Sequence, residues 1–447
     1  MHSKALSHLE ILPKAAIGVD EKGCISFVDA NVPSIEAAAE KYPDFTNASR
    51  IELKPLQFLF PGLIDTHLHA PQWPNLAIGM EGTLREWVEN YTDPIEESYH
   101  DTDKAKRVYA EMVQKELQLG TTTVAYNSTI HSEATNILAD MCKKYGQRAV
   151  IGKLCILKGS THGNWEKSTE QGLAASKKSV DHIINMSKDP DDLDADIVMP
   201  CIQPRGGPYC PPEYMAGLGK LSSGGDELIR VQAHMCETTE DMSRMRTLHP
   251  EFNNYSDMYE HYGLLHSRSI LAHCIYLTKV DIENLLKTKA GIAHNPNSNT
   301  CLRDGECRVR DLLNAGVKVG LGTDCSAGYS TSMLDSMRQA SNVSRHLAMH
   351  EKNDKITLGF TEIVYLGTMG SATVLDLQDK IGNFEPGKRF DALLVDVGLK
   401  EDLINISGWE DDDQALVKKW VFLGDDRSIR KVWVNGRLVA GHDAVLY

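Results

Sequence analysis

Two histidines, His67 and His69, stand one residue apart at the end of a short apolar run that begins at Pro61. If that run is a β-strand, side chains two residues apart point to the same face, so both imidazoles can bind one divalent ion. A metal centre needs three or four protein ligands. The pair therefore predicts such a centre only if other segments supply the remaining ligands.

Three later segments of β-strand composition end in residues of the required kind, namely His234, His273 and Asp324. Together with His67 and His69, His234 and Asp324 would offer three imidazole nitrogens and one carboxylate. That set leaves a position for water and suits catalytic zinc or iron(II). His273 would contact the water or the substrate instead of the metal.

This set of ligands predicts hydrolysis. A bound divalent ion lowers the pKa of its water from about 15.7 toward roughly 7, so hydroxide becomes available near neutral pH. Asp324 could take up a proton, while Glu237, three residues after His234, could donate one to a leaving group. A site with two ions would need a bridging lysine near the end of the fourth strand, and residues 202–205 contain none, so we expect one ion.

The elements that must position these residues follow a regular pattern. From about Phe58 to Asp324, short apolar runs alternate with helical, charge-rich stretches, which is typical of a parallel sheet built from βα units. Eight runs are predicted strands: 62–67, 121–126, 149–155, 197–202, 229–233, 269–272, 290–294 and 317–323. We therefore expect a closed (β/α)8 barrel of the α/β class, in which chemistry takes place at the C-terminal ends of the strands.

Both ends of the chain have β-strand composition outside the barrel pattern. Residues 14–28 are a predicted hairpin, and residues 391–395 and 429–439 are predicted strands, the last with an Asn-Gly turn. We expect residues 1–60 and 382–447 to form a small β-sandwich domain, and residues 61–381 to form the barrel. The acidic run 410–413 is predicted to be a solvated loop.

Composition excludes several classes of function. The 447 residues are 42% hydrophobic and 24% charged, as in an ordinary globular protein. A net charge of −15 without any basic cluster argues against nucleic acid as a partner. We expect no membrane association and a cytoplasmic location, because no apolar stretch is long enough for a bilayer or a signal peptide. The ten cysteines are scattered without a Cys-x-x-Cys pair, which favours reduced thiols.

Several motifs beyond the His-x-His pair resemble the amidohydrolase superfamily. The resemblance covers nearly the whole chain and includes PGLIDTHLHAPQ (61–72), GTTT (120–123), PR (204–205), HMCE (234–237), AHNPNSN (293–299), GLGTD (320–324) and LGDDR (423–427). The His-x-His pair marks only the superfamily. Gln72 and the Pro-Arg, His-x-x-Glu, Pro-Asn-Ser-Asn and Leu-Gly-Asp-Asp-Arg motifs are similar to a branch whose members deaminate guanine.

The resemblance implies a role for each matching residue. One zinc ion per chain, with iron(II) as the alternative, would be bound by His67, His69, His234 and Asp324. Protons would be shuttled by Glu237 and Asp324, and His273 would orient the attacking hydroxide.

The resemblance also implies a substrate and an assembly. Gln72 and Arg205 would hydrogen-bond a purine, and water would attack C2 of guanine, releasing ammonia and leaving xanthine. Because members of the family are typically homodimers, we expect a homodimer that acts on a small heterocycle.

Departures from the family pattern fall near the expected substrate. Gly206 and Gly207 follow Arg205 where the family usually has a phenylalanine that stacks on the purine, and Ile156-Leu157 replaces Met-Asp. We expect Gly206 to border a wider pocket that lacks an aromatic wall, at a cost of about 1 kcal/mol of stacking. The N-terminus also looks short, as though the family's first β-strand were missing before His2.

Two alternatives to guanine deamination stay open. A paralogue with the same metal site could act on another heterocycle, such as a pterin, a modified purine or a specialised metabolite. A non-catalytic scaffold with this fold is the second alternative, and the retained ligands and Glu237 argue against it.

Overall fold

A computed structural model describes residues 1–189, 192–225, 227–400 and 403–442. Within these residues the chain forms 17 strands: β1 (His2–Ala5), β2 (His8–Glu10), β3 (Ala16–Val19), β4 (Ile25–Asp29), β5 (Gln57–Pro61), β6 (Leu63–His69), β7 (Thr121–Asn127), β8 (Arg148–Gly152), β9 (Leu154–Cys155), β10 (Val198–Pro204), β11 (Arg230–Met235), β12 (Ser269–His273), β13 (Gly291–His294), β14 (Lys318–Leu321), β15 (Ala392–Asp396), β16 (Ile429–Val434) and β17 (Arg437–Ala440).

The α-helices of the same residues are α1 (Ile35–Lys41), α2 (Leu84–Trp87), α3 (Asp93–Glu97), α4 (Thr102–Gln118), α5 (Ser132–Tyr145), α6 (Thr169–Met186), α7 (Pro212–Ser223), α8 (Thr239–Leu248), α9 (Tyr255–His261), α10 (Lys279–Thr288), α11 (Pro296–Cys301), α12 (Val309–Ala315), α13 (Met333–Glu351), α14 (Phe360–Tyr365), α15 (Ser371–Val374) and α16 (Asp413–Leu423). No helix in these ranges combines the length and the apolar character needed to cross a membrane.

The central sheet is a parallel barrel of eight successive strands. Its order is β6-β7-β8-β10-β11-β12-β13-β14, and the short β9 adds a second pairing to β10. The last strand returns to the first, because Thr66 Oγ1 donates to Leu321 O at 2.9 Å and the Asp324 N–H donates to His67 O at 2.8 Å. The expected (β/α)8 fold is therefore confirmed.

Helix α4 shows why these segments pack around the barrel. Its buried residues include Val108, Tyr109, Met112 and Val113, a spacing that places one apolar stripe along the helix. Asp101 caps the helix by accepting hydrogen bonds from the N–H groups of residues 103 and 104. The stripe packs against the sheet, and the opposite face carries the charged residues.

Apolar residues fill the barrel interior and leave the cleft at one end. Ile64, Val150 and Ile270 belong to one buried cluster with Val374 and Leu375, which follow the last barrel strand in the chain. Ile64 and Ile270 come before the histidines of their own strands, so they lie nearer the N-terminal ends of those strands. Packing therefore closes one end of the barrel, and the C-terminal ends of the strands remain available for a site.

A second sheet is built from both ends of the chain. Its antiparallel order is β17-β16-β15-β5, so the N-terminal strand β5 pairs with β15 at the edge of a sheet whose other three strands are C-terminal. The predicted hairpin is present as β3 and β4, and the expected Asn-Gly turn has φ of 49° at Asn435 and 72° at Gly436. The domain limits 1–60 with 382–447, and 61–381, stay a prediction.

The acidic run near residue 411 differs from its prediction in part. Asp412 is the N-cap of α16, where its Oδ1 accepts a hydrogen bond from the Ala415 N–H at 2.9 Å, and Asp413 begins the helix. The expectation of a loop is wrong only for Asp413, because acidic residues are common both in solvated loops and in the first turn of a helix.

Candidate active site

Five predicted residues meet at the C-terminal end of the barrel. His67 and His69 lie in β6, His234 lies in β11, and His273 is the last residue of β12. Asp324 lies three residues beyond the end of β14, with a φ of 48° that few residues other than glycine adopt. The sheet thus brings together side chains that are up to 257 positions apart in the chain, from residue 67 to residue 324.

The donor atoms of four side chains converge on one point. Asp324 Oδ1 lies 3.3 Å from His67 Nε2 and 3.5 Å from His69 Nε2. His69 Nε2 and His234 Nε2 are 3.2 Å apart. Ligand atoms about 2.0–2.1 Å from a tetrahedral zinc ion are separated from each other by about 3.4 Å. The spacing of these atoms therefore fits a bound divalent ion.

Hydrogen bonds on the far side of two rings leave their Nε2 atoms free for a metal. His67 Nδ1 lies 2.7 Å from Gln232 Oε1, and His234 Nδ1 lies 2.6 Å from the carbonyl oxygen of Arg205. Both partners are acceptors, so each Nδ1 carries the proton and each Nε2 presents a lone pair. His67 Nε2 is buried and has no hydrogen-bond partner among the described residues, which is expected of a ligand atom without its ion.

Burial favours the neutral imidazole of His234 and His273. Burial lowers the pKa of His234 well below its usual range, and the neighbouring His67, His69 and His273 lower it further. Burial likewise lowers the pKa of His273 to about 4. Neutral imidazole is the form that binds metals.

His273 and Glu237 border the same centre. His273 Nδ1 lies 2.9 Å from Asn299 Oδ1, and its Nε2 lies 3.3 Å from Glu237 Oε1 and 3.8 Å from Asp324 Oδ2. Burial raises the pKa of Glu237 well above its usual range, and the charges of Asp304 and Asp324 add to this effect. Both effects disfavour the ionised form of Glu237, as the role of proton donor requires.

The two predicted purine contacts are joined by a third residue. Gln72 lies in a 3₁₀ segment that directly follows β6, and Arg205 directly follows β10. Glu96 of α3 accepts hydrogen bonds from Gln72 Nε2 at 2.8 Å and from Arg205 Nη1 at 2.9 Å. Although burial opposes ionisation of Glu96, the charges of Arg205 and His69 hold its pKa at about 2. Sequence reasoning missed Glu96, because nothing distinguishes it from its neighbour Glu97.

The cleft has an aromatic wall that the sequence did not predict. Tyr209 lines the cleft, with the guanidinium carbons of Arg205 and Arg244 each 5.2 Å from its ring centroid. Gly206 is buried and lies beside this ring, because a Cβ built there would be 3.8 Å from Tyr209 Cδ2. The structure does not place Gly206 on the cleft surface. Tyr209 thus offers an aromatic surface beside Gly206, and the wider substrate pocket expected there stays a prediction.

Another group of possible ligands lies away from this centre. Ligand atoms of Glu97, His100 and His131 are within 4.8 Å of one another. Both rings already hydrogen-bond the carbonyl oxygen of Glu97, at 3.0 Å from His100 Nδ1 and 2.8 Å from His131 Nε2. These bonds account for the grouping without an ion.

Comparison with known proteins agrees with the fold. Residues 58–439 match the model of the amidohydrolase family, and the chain belongs to this family. Its relatives include guanine deaminases. The probable guanine deaminase of Schizosaccharomyces pombe is 39% identical over 99% of this chain and 82% of its own length. Guanine deaminase of Homo sapiens is 34% identical over 98% of this chain and 95% of its own length.

A solved structure gives the same result in three dimensions. The guanine deaminase of C. acetobutylicum, crystallised with guanine bound in its active site, superposes with a TM-score of 0.87 at 30% identity. The match covers 98% of this chain and 97% of that protein.

Proposed function

We propose that this chain is a metal-dependent guanine deaminase, which converts guanine and water to xanthine and ammonia. The observation that carries the proposal is one cleft that joins a four-donor metal centre to the Gln72–Glu96–Arg205 group. The metal centre suits hydrolysis, and the hydrogen-bonded group suits recognition of a polar heterocycle. Similarity to guanine deaminases over nearly the full chain supports the same substrate.

The proposed cofactor is one zinc ion per chain. The donors that would hold it are His67, His69, His234 and Asp324. When bound, the ion would make a water molecule acidic and stabilise negative charge in the transition state. Three nitrogens and one carboxylate also suit iron(II), which metal analysis would distinguish.

The protein's own groups would move the protons. Glu237 would donate a proton to N3, the only unprotonated ring nitrogen next to C2, which makes C2 more electrophilic. Asp324 would take a proton from the attacking water, and His273 would orient that water through Nε2. Breaking the bond between C2 and the amino nitrogen then requires one more proton on that nitrogen, which gives ammonia.

Recognition of the base would fall to Gln72 and Arg205. Glu96 fixes one N–H of each side chain, and the remaining N–H groups would donate to acceptors of the purine such as O6 and N7. Tyr209 would add apolar contact with the flat ring.

Release of ammonia from guanine by the metal-replete protein tests the proposal. We expect turnover with zinc bound, loss of turnover after chelation, and recovery after zinc is restored. Adenine and pterin serve as comparison substrates. Absence of guanine turnover in protein with stoichiometric metal would refute the proposal, and preferred turnover of pterin would support the paralogue. A cytoplasmic homodimer stays a prediction from the resemblance.

A further inference from the structure

One carboxyl group in the cleft has an oxygen without a hydrogen-bond partner among the described residues. Asp304 is 5% exposed and lines the same cleft as Glu237 and Asp324. Its Oδ2 is buried and accepts no hydrogen bond from any described residue. Asp241 lines the same cleft, yet its Oδ2 accepts a hydrogen bond from the Tyr255 hydroxyl. A buried carboxyl oxygen without a donor is costly, so the position of Asp304 indicates a donor that a ligand supplies.

The backbone holds Asp304 firmly in this position. Its N–H donates to the carbonyl oxygen of Asn299 at 2.9 Å, and its own carbonyl oxygen accepts from the Tyr276 hydroxyl at 2.6 Å. The flanking Arg303 and Gly305 have φ of 61° and 138°. Because the Asn299 side chain also binds His273, the turn at Asp304 is tied to the catalytic centre.

Asp304 approaches the cleft from a different side than Arg205. The turn at Asp304 follows β13, the seventh barrel strand, whereas Arg205 follows β10, the fourth, and β11 and β12 lie between them. Glu237, which follows β11, is an electrostatic neighbour, because the charge of Asp304 contributes to its raised pKa. Glu237 and Asp304 both line the cleft, so one edge of a bound substrate can contact both side chains.

We propose that Asp304 accepts a hydrogen bond from N9–H of the bound purine and thereby selects the free base over purines substituted at N9. The inference rests on the proposed function. With Glu237 at N3, the next polar atom along the same edge of guanine is N9, which carries a hydrogen in the free base. A nucleoside has a ribose at N9, so it has no donor there and would press a bulky group against a buried carboxyl.

The test compares guanine with 9-deazaguanine, which has a C–H in place of N9–H and nearly the same shape. Wild-type protein, Asp304→Asn, Asp304→Ala and the surface control Asp311→Asn are loaded with zinc, and kcat and KM are measured for both bases. We expect Asp304→Ala to lower kcat/KM for guanine by about 10- to 100-fold, mainly through KM, because a hydrogen bond to a charged group is lost. We expect Asp304→Asn to lose less, because its amide oxygen can still accept.

The ratio of the two substrates decides the proposal. In the wild type, kcat/KM should favour guanine, and in Asp304→Ala this preference should shrink by the same 10- to 100-fold. The change that 9-deazaguanine also introduces at position 7 is common to both proteins and cancels in this comparison. An unchanged preference in Asp304→Ala would overturn the inference. If Asp304→Ala does not fold, equal kcat/KM for the two bases in the wild type overturns it instead. A wild type without guanine turnover would refute the proposed function, which is a separate outcome.

Discussion

At the scale of single residues, Glu237 is distinguished by its surroundings. It is 7% exposed, it lies 3.3 Å from His273 Nε2, and it is flanked by other carboxyl groups. Such an environment favours the protonated form, which is what a proton donor needs.

Glu237→Gln should therefore abolish most of the turnover and preserve the metal site. We expect kcat for guanine to fall by about 10²- to 10⁴-fold, because general acid–base catalysis by one positioned side chain contributes about that much. Metal content should stay at one ion per chain, since Glu237 supplies none of the four converging atoms. A variant that keeps wild-type kcat would show that another group moves the proton.

Tyr209 offers a second prediction at this scale. Its ring lines the cleft and lies beside Gly206, where a Cβ would be 3.8 Å from Tyr209 Cδ2. Tyr209→Leu should raise KM for guanine by about 3- to 10-fold, because an aromatic contact is worth about 0.5–1.5 kcal/mol beyond burial. Tyr209→Phe is the matched control and should stay close to wild type. Equal KM values in all three proteins would place the ring outside the binding surface.

At the scale of elements, α3 links two barrel loops. Glu96 joins Gln72, which follows the first barrel strand, to Arg205, which follows the fourth. The helix therefore determines the distance between the two expected contacts with the purine.

Glu96→Gln should weaken both substrate binding and stability. Removing one partner of a buried ion pair costs about 3–5 kcal/mol, because the Arg205 charge remains buried without its counterion. We expect a lower free energy of unfolding and a higher KM. Glu97→Gln, one position further on the same helix and more exposed, is the control and should differ little from wild type.

The pH dependence of stability provides a second measurement on the same pair of variants. The pKa of Glu96 is about 2 in the folded protein, compared with 4.5 for a glutamate in the unfolded chain. Between these two pH values the folded state therefore binds fewer protons than the unfolded state. Its contribution to stability is complete above pH 4.5 and is lost as the pH falls toward 2. Urea unfolding at a series of pH values should show a shallower decline for Glu96→Gln. An identical slope would show that Arg205 does not stabilise the ionised form.

At the scale of the whole molecule, a buried ion pair joins the barrel to the sheet formed by the chain ends. Arg148, at the start of β8, donates from Nε to Asp391 Oδ2 at 3.1 Å and from Nη2 to Asn435 Oδ1 at 2.5 Å. Asp391 also accepts from the Asn435 N–H at 2.9 Å. Arg148 is 1% exposed, so these contacts are shielded from water.

Asp391→Asn should destabilise the whole chain without changing the site. We expect the free energy of unfolding to fall by about 3–5 kcal/mol, since a buried guanidinium loses its counterion. Asp396→Asn, in the neighbouring strand β15, is the control and should cost about 1 kcal/mol, because it affects one hydrogen bond to Gln57. Denaturant unfolding measures both changes. A loss of metal from folded Asp391→Asn would contradict the separation of the two regions.

The sequence by itself determined the barrel, the strands that carry His67, His69 and His234, and the region where they meet. These features follow from local patterns, because strand composition is periodic and parallel strands in a βα fold end at the same edge. The two-ended sheet was predictable for the same reason. Motifs near the strand ends also pointed to Gln72, Arg205 and Glu237.

Only the tertiary structure showed what Glu96, Tyr209 and Asp304 contact. The hydrogen bond from Arg205 to Glu96 spans 109 positions of sequence, and no periodicity relates such residues. No local pattern indicated that the ring of Tyr209, three positions later, lies beside Gly206. A substrate cleft is lined by loops from several strands, so its shape depends on distances that local sequence does not encode.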